Sequence, residues 1–147
     1  MTALRPTIDT ELPLFASFER QSHAREFINA TSLEEHCHNF SNPDFIYLTI
    51  ENDAADVVGY FILVKEANNR VEFRRIVIDE NQRGIGQSAI IAMEEYCNRE
   101  LRCESIWLDV YDDNVVGRHI YEKFGYLQFK STVVSGRILL FYEKLIG

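Results

Sequence analysis

The sequence lacks the long apolar runs and the export signal that would place it in or across a membrane. No stretch of its 147 residues approaches about 20 consecutive apolar residues, the length that a membrane-spanning helix needs. The first residues, "MTALRPTIDTELP", also lack the charged, apolar and small-residue regions of a secretory signal. We therefore expect a cytoplasmic protein that has no membrane partner.

Cysteine and proline are scarce, with three of each. The odd number of cysteines and the absence of a C-x-x-C spacing favour reduced thiols over a disulfide framework. All three prolines lie in the first third of the chain, and the sequence contains no Pro/Ser-rich linker, low-complexity segment or internal repeat. With 46% hydrophobic residues, the sequence predicts one globular domain over residues 1–147.

Basic residues are outnumbered, 15 against 23 acidic ones, which gives a formal charge of -8. This charge opposes binding to a nucleic acid backbone and would attract cationic partners such as protonated amines. The segment "EEHCHN" at 34–39 suggests metal ligands, but on a helix Glu34 and His38 share a face from which His36 and Cys37 point away. We therefore expect neither nucleic acid nor a metal.

The apolar periodicity predicts the element order β, α, α, β, β, β, α, β, α, β, β. Ser32 and Glu35 form a capping box that opens the second helix, and "NN" at 68–69 turns the chain between two strands. The strand, helix, strand unit at 70–111 must cross over right-handedly, which makes its two strands parallel within a mixed sheet. The fold class is therefore α+β, with a mixed sheet and flanking helices.

A glycine-rich loop, "DENQRGIGQSA" at 79–89, joins an apolar strand to a helix. Gly84 and Gly86 allow the backbone to curl its amides around an anion at the helix N-terminus, and Arg83 would add a charge-assisted bond. The same glycines could instead serve only a tight turn. Gly84, Gly86 and Ala89 also match the motif G-x-G-x-x-A, and Asp109 follows at the end of the next strand, as in a dinucleotide-binding unit. Five residues, however, separate the strand from the first glycine, and only one strand, helix, strand unit is available.

A second segment, "WLDVYDDNVVGRHIYEKFGY", contains a short helix with two distinct faces. Spacing by four predicts that Val116, Ile120 and Phe124 face the core. Another face carries Asn114, Gly117 and Tyr121 and suits an elongated polar ligand. Alternatively, Asn114 is a plain N-cap and Tyr121 a half-buried tyrosine.

Together the two segments resemble the GNAT superfamily of N-acetyltransferases, from about Glu72 to Tyr126. The resemblance implies a mostly antiparallel sheet with one splayed parallel strand pair, and acetyl-coenzyme A as the co-substrate. It places the pyrophosphate on the amides from Arg83 to Ser88 and the pantetheine arm beside a strand and along the helix face that begins at Asn114. The implied cofactor-binding residues are Ile76, Val77, Ile78, Arg83, Gly84, Ile85, Gly86, Gln87, Ser88, Asn114 and Gly117. The loop consensus can start at either Asn81 or Arg83.

The two segments contain no cysteine except Cys97, which is placed in the helix core, so a covalent route is disfavoured and we expect direct transfer of the acetyl group to a primary amine. The resemblance places Tyr121 by the sulfur, as the general acid, and Glu72 where similar enzymes keep a carboxylate that deprotonates the amine through water. Glu72 could equally be a partner of Arg74, while Arg74 and Arg75 could attract the phosphates or flank the sheet. The acceptor is a small molecule or a peptide, and the terminal hairpin could pair across a homodimer. The alternative function is a non-catalytic acyl-CoA-binding sensor.

Overall fold

The computed structural model describes residues 2–21, 31–79 and 84–146. Within these ranges seven strands form one sheet in the order β1-β2-β3-β4-β5-β7-β6. Neighbouring strands are antiparallel except for β4 and β5, which are parallel. The predicted mixed, mostly antiparallel sheet is thus confirmed. The strands are β1 (Ala3–Pro6), β2 (Phe45–Glu51), β3 (Val57–Glu66), β4 (Arg70–Ile78), β5 (Ser105–Tyr111), β6 (Leu127–Val134) and β7 (Arg137–Leu145).

Four α-helices appear in the described ranges, in the predicted positions along the chain. They are α1 (Leu12–Glu19), α2 (Leu33–Phe40), α3 (Ile85–Arg99) and α4 (Val115–Lys123). The predicted capping box opens α2, since the Glu35 N–H donates to Ser32 Oγ at 3.1 Å and the Ser32 N–H donates to Glu35 Oε1 at 3.3 Å. None of the helices described is long and apolar enough to cross a bilayer.

The sheet separates two apolar cores. Helices α3 and α4 cover one face, where Ala89, Ile90, Met93 and Cys97 of α3 are buried against β4 and β5. Helix α1 covers the other face and packs Phe15 on Tyr60 with ring centroids 4.3 Å apart. Alternate residues of each strand therefore belong to the core with α3 and α4 or to the core with α1.

A β-bulge in β4 changes which face each of its residues presents. Arg75 pairs with Ile62 of β3, but Phe73 pairs with Leu63, so Arg74 is an extra residue. Before the bulge the odd-numbered Phe73 packs in the core with α3, whereas after it the even-numbered Ile76 packs there. Val77 consequently faces the opposite core, with α1.

The prediction that Val116 belongs to the core is wrong, because its side chain is 72% exposed. Helix α4 begins at Val115, and only Ile120, Tyr121 and the C-cap residue Phe124 pack against the core. Periodicity identified the stripe correctly from Ile120 onward. The first turn of the helix carries the same pattern without a neighbouring element to cover it.

Candidate active site

The parallel strands β4 and β5 separate soon after they begin. Their pairing runs only from Arg70 and Ser105 to Glu72 and Trp107. Residues 73–78 of β4 and 108–111 of β5 continue as strands without pairing to each other. We call this opening the β4/β5 gap. A gap between parallel strands leaves backbone hydrogen-bonding groups available to a bound molecule.

The hydrogen-bond alternation of β4 decides which peptide groups face the gap. The Asp79 N–H donates to the Val58 carbonyl of β3 at 2.7 Å. Alternation then turns the peptide groups of Val77 and Arg75 toward β3 and directs those of Ile76 and Ile78 away from it. Val77 was predicted among the backbone partners of the cofactor, but its N–H is directed to β3 and its side chain lies in the core with α1.

The two glycines of the loop differ in why glycine is needed. Gly84 caps the N-terminus of α3 with φ at +78°, a left-handed conformation that other residues adopt only with strain. Gly86 lies within the helix, and a Cβ added there would meet no described atom within 4 Å. Because neither its conformation nor its packing requires glycine, the absence of a side chain at Gly86 fits the close approach of a ligand to the backbone. The residues present therefore fit a pyrophosphate.

Side chains next to this turn add polar groups on both sides. Gln87 and Ser88 are exposed, and Ser88 bonds the hydroxyl of Thr2. Lys123, at the end of α4, donates to Gln87 Oε1 at 3.1 Å, which brings an ammonium group to the first turn of α3. No local pattern indicated Lys123, because it lies 36 positions from Gln87. Arg83 and Asn81 lie outside the described residues, so the alternative loop registers stay open.

Asn114 and Gly117 form the N-terminus of α4 together. Asn114 Oδ1 accepts a hydrogen bond from the Gly117 N–H at 3.0 Å, which makes Asn114 an N-cap. A Cβ at Gly117 would stand 2.8 Å from Asn114 Nδ2, so glycine leaves room for the capping side chain. The Nδ2 group has no hydrogen-bond partner among the described residues.

Tyr121 stands at the base of the gap. Its ring packs edge-on against Phe73, the first β4 residue beyond the paired segment, at 5.8 Å, and against Tyr126 at 6.1 Å. Burial and, to a lesser extent, the nearby Asp109 carboxylate raise the pKa of Tyr121 to about 12. The phenol is thus protonated at neutral pH, and its hydroxyl forms no hydrogen bond within the described part of the chain.

Glu72 and Asp109 lie on the opposite face of the sheet from Tyr121, since each alternates with residues of the core that contains α3. Glu72 Oε1 is 3.7 Å from Arg74 Nη1, and its side chain is 15% exposed. Burial raises the pKa of Glu72, and Asp109 adds to this effect while Arg74 opposes it. Burial also raises the pKa of Asp109. The gap therefore has carboxyl groups on one side and a phenol on the other.

The remaining candidate residues have structural partners. The Arg75 Nη1 donates to Glu19 at 2.8 Å and to Thr31 Oγ1 at 2.6 Å, and Arg74 lies over the ring of Phe45 at 5.3 Å. These contacts fit the expectation that both arginines flank the sheet. No group of three His, Cys, Asp or Glu side chains that could hold a metal occurs among the described residues.

Comparisons with known proteins identify a family model and solved structures that this chain resembles. The family model of the acetyltransferase (GNAT) family matches residues 10–126. A search of the curated proteins found no match. Among solved structures, spermidine N-acetyltransferase from Vibrio cholerae in complex with CoA and spermine has a TM-score of 0.84 at 16% identity, covering 99% of this chain and 95% of that one. A candidate phosphinothricin N-acetyltransferase has a TM-score of 0.83 at 16% identity, covering 100% and 99%.

At these identities the solved structures show a shared fold, and the family model carries the assignment. It spans both sequence segments, the β4/β5 gap and the whole of α4. The chain belongs to the acetyltransferase (GNAT) family and is an acyltransferase that uses acetyl-CoA.

Proposed function

We propose that the chain transfers the acetyl group of acetyl-CoA directly to a primary amine in the β4/β5 gap. The observation that carries this proposal is the gap itself, with the Tyr121 phenol on one face of the sheet and the Glu72 carboxyl group on the other. Acid and base groups on opposite sides of a reaction centre suit a transfer in which one proton leaves the nucleophile and another reaches the leaving group.

The backbone at the glycine turn and along β4 would hold the co-substrate. Amides from Arg83 through Gly84, Ile85, Gly86 and Gln87 to Ser88 would bind the pyrophosphate at the N-terminus of α3, where the helix dipole favours an anion. The peptide groups of Ile76 and Ile78 would pair with the pantetheine arm, which Asn114 Nδ2 would also contact. Gly117 would leave that flank of α4 open. When bound, acetyl-CoA supplies an acetyl group activated as a thioester.

Tyr121 is the proposed general acid. The amine nitrogen forms a bond to the acetyl carbon, the carbon–sulfur bond breaks, and the Tyr121 hydroxyl donates its proton to the departing sulfur. Solvent then restores that proton. The raised pKa of Tyr121, about 12, keeps the donor protonated at working pH. The Ile76 N–H, which faces the gap, would stabilise the carbonyl oxygen.

Glu72 is the proposed base, which accepts the proton of the amine through water. Its raised pKa brings the carboxylate nearer to the pKa of a useful base than an exposed glutamate would be. A covalent acyl-cysteine route has little support, because Cys97 is fully buried in α3 and burial raises the pKa of its thiol.

The proposed acceptor is a cationic amine, either a small molecule or a peptide. The formal charge of -8 and the carboxyl groups of Glu72 and Asp109 beside the gap favour a substrate that arrives protonated. The solved structure with CoA and spermine has the same fold and contains such an amine. Its low identity makes it a guide to substrate class only.

The test is detection of free thiol when acetyl-CoA is mixed with a graded panel of amines. Tyr121→Phe should lower kcat about 100-fold or more, as expected for loss of a general acid, with little change in acetyl-CoA affinity. Tyr126→Phe is a matched control, because the neighbouring Tyr126 hydroxyl is buried without a hydrogen-bond partner in the described structure and takes no part in the proposed reaction. Unchanged turnover in Tyr121→Phe would remove Tyr121 from the acid role.

A non-catalytic acyl-CoA sensor is the alternative. Such a protein would gain thermal stability on adding acetyl-CoA but would release no thiol with any amine of the panel. The same assay, run with calorimetry of acetyl-CoA binding, therefore separates the two functions.

Three further points belong to the proposal. Residues 1–147 would form one domain, and the free thiols of its three cysteines suit the reducing cytoplasm.

Strand β6 is exposed along its whole length and carries Leu127, Phe129 and Val133 at 73%, 49% and 68% exposure. An exposed apolar edge strand can pair with a second copy, so a homodimer is expected by light scattering.

A further inference from the structure

A cluster of buried polar side chains lies between α1, α2 and the sheet, beside the β4/β5 gap. Its centre is the carboxylate of Glu19, the last residue of α1, which is fully buried. One carboxylate oxygen accepts hydrogen bonds from the Tyr60 hydroxyl and from His36 Nε2. The other accepts from Arg75 Nη1 and from the Thr31 backbone N–H, both at 2.8 Å. We call Glu19, Thr31, His36, Tyr47, Tyr60 and Arg75 the Glu19 cluster.

The hydrogen bonds fix the charges of this cluster. Burial alone would raise the pKa of Glu19, but the bonds from His36 and Tyr60, with Arg75 nearby, outweigh it and lower the pKa overall. A carboxylate only accepts, so His36 Nε2 donates to Glu19, and the other ring nitrogen, Nδ1, is hydrogen-bonded to the Tyr47 hydroxyl at 2.7 Å. The Glu19 carboxylate and the Arg75 guanidinium form the ion pair of this cluster.

Arg75 connects this cluster to the gap. It follows the bulge residue Arg74 and precedes Ile76, whose peptide N–H faces the gap. Its side chain, 18% exposed, runs to Glu19 and Thr31 rather than into solvent. Arg75, the first residue of β4 after the bulge, is therefore held in position by side chains that lie outside the sheet.

A second contact joins the segment just after α1 to the residue that follows β4. Gln21 Nε2 donates to Asp79 Oδ1 at 3.1 Å. Asp79 directly follows β4 and opens the glycine loop. The part of β4 that is not paired with β5 is thus tied to the end of α1 through Glu19 and Arg75, and the residue after it is tied to Gln21, two residues beyond α1.

A buried ion pair is a weak means of stabilising a fold, because desolvation offsets much of its attraction and apolar side chains often serve as well. An ion pair fixes geometry, however, since both partners must keep their positions. We infer that Glu19 is a positioning residue for acetyl transfer: through Arg75 it fixes the β4 bulge and the direction of the Ile76 N–H in the gap. This inference rests on the proposed function of that gap.

The test compares variants that disturb different bonds of the cluster. Glu19→Gln and Arg75→Met release Arg75 or its anchor and should lower kcat at least ten-fold, measured well below the unfolding temperature. Arg75→Lys keeps the charge and one donor, so it should retain more activity than Arg75→Met. Tyr47→Phe is the matched control, because it removes the bond to His36 and leaves Arg75 paired.

Thermal unfolding separates positioning from stability. Tyr47→Phe should lower the midpoint by several degrees, as breaking a buried hydrogen bond does, while keeping kcat within two-fold of the unmodified protein. If Glu19→Gln also keeps kcat within two-fold, or if all variants lose activity in proportion to their loss of thermal stability, the positioning role is wrong.

Hydrogen exchange gives a readout that does not depend on turnover. Peptides that cover residues 71–79 should exchange at least ten-fold faster in Glu19→Gln than in Tyr47→Phe. Equal exchange in the two variants would refute the link from Glu19 to the bulge. Absence of thiol release by the unmodified protein would instead refute the proposed function.

Discussion

Replacing Gly86 by alanine should have opposite effects on the free protein and on its complex with acetyl-CoA. Gly86 is the second residue of α3 and has no positive φ, and no atom of the described residues outside its own helix backbone lies within 4 Å of where a Cβ would stand. Alanine is therefore compatible with the fold at this position. If the pyrophosphate lies against this backbone, however, the added methyl group occupies part of its site.

The magnitudes can be worked out for both states. A glycine to alanine change at a compatible helical position stabilises the fold by about 0.5–1 kcal/mol, which raises the unfolding midpoint by about 1–4 °C. A ten-fold loss of acetyl-CoA affinity costs about 1.4 kcal/mol. With acetyl-CoA at about 100 times the dissociation constant of the unmodified protein, binding stabilises that protein by about 2.7 kcal/mol and the variant by about 1.4 kcal/mol.

Thermal unfolding with and without acetyl-CoA measures both effects in one assay. The Gly86→Ala midpoint should lie above that of the unmodified protein in the free state and below it in the saturated state. Gly136→Ala is the control, because Gly136 has φ at +79° in the β6–β7 turn, far along the chain from the glycine loop. It should lose about 1–2 kcal/mol in the free state and gain as much from acetyl-CoA as the unmodified protein. An equal gain in Gly86→Ala would refute the position assigned to the pyrophosphate.

Substitutions at two other positions test the sides of the gap. Asn114→Asp keeps the Oδ1 acceptor for the Gly117 N–H but removes the Nδ2 donor, so calorimetry should detect weaker acetyl-CoA binding at an unchanged unfolding midpoint. Asn114→Ala should also lose about 1 kcal/mol of stability with the cap, and unchanged affinity in both variants would make Asn114 a cap alone. Because the pKa of Glu72 is raised, the folded protein loses stability as the pH rises through the ordinary and then the raised value. Glu72→Gln should remove that loss, so its midpoint should gain on the unmodified protein as the pH rises above the ordinary glutamate pKa of about 4.3, while its turnover falls; parallel midpoints over this rise in pH would contradict the buried environment of Glu72.

Local signals in the sequence were sufficient for much of the fold. The Ser32–Glu35 capping box and the Asn68–Asn69 turn each depend on residues a few positions apart, and both appear as predicted. Asn68 and Asn69 adopt φ of 65° and 57°, a conformation that asparagine tolerates better than most residues. The parallel pairing of β4 with β5 followed from the handedness of the crossover between them.

The parts that the sequence did not reveal depend on distant residues. Glu19 and Arg75 are 56 positions apart and meet only because the sheet brings β4 beneath the end of α1. Val116 continued the pattern of a core stripe, but no pattern within a helix shows where its neighbours end. Val77 was grouped with Ile76 and Ile78, although the alternation of a strand turns its peptide group the other way.

The extra residue at position 74 has a consequence for how this chain can vary. Exchanging Arg74 for another amino acid leaves the count of residues along β4 intact. Deleting it would restore regular pairing, with Phe73 and Arg75 still opposite Leu63 and Ile62, so the residues beyond would keep their present faces. A chain without this residue should therefore keep both hydrophobic interiors and lose only the local bend of the strand.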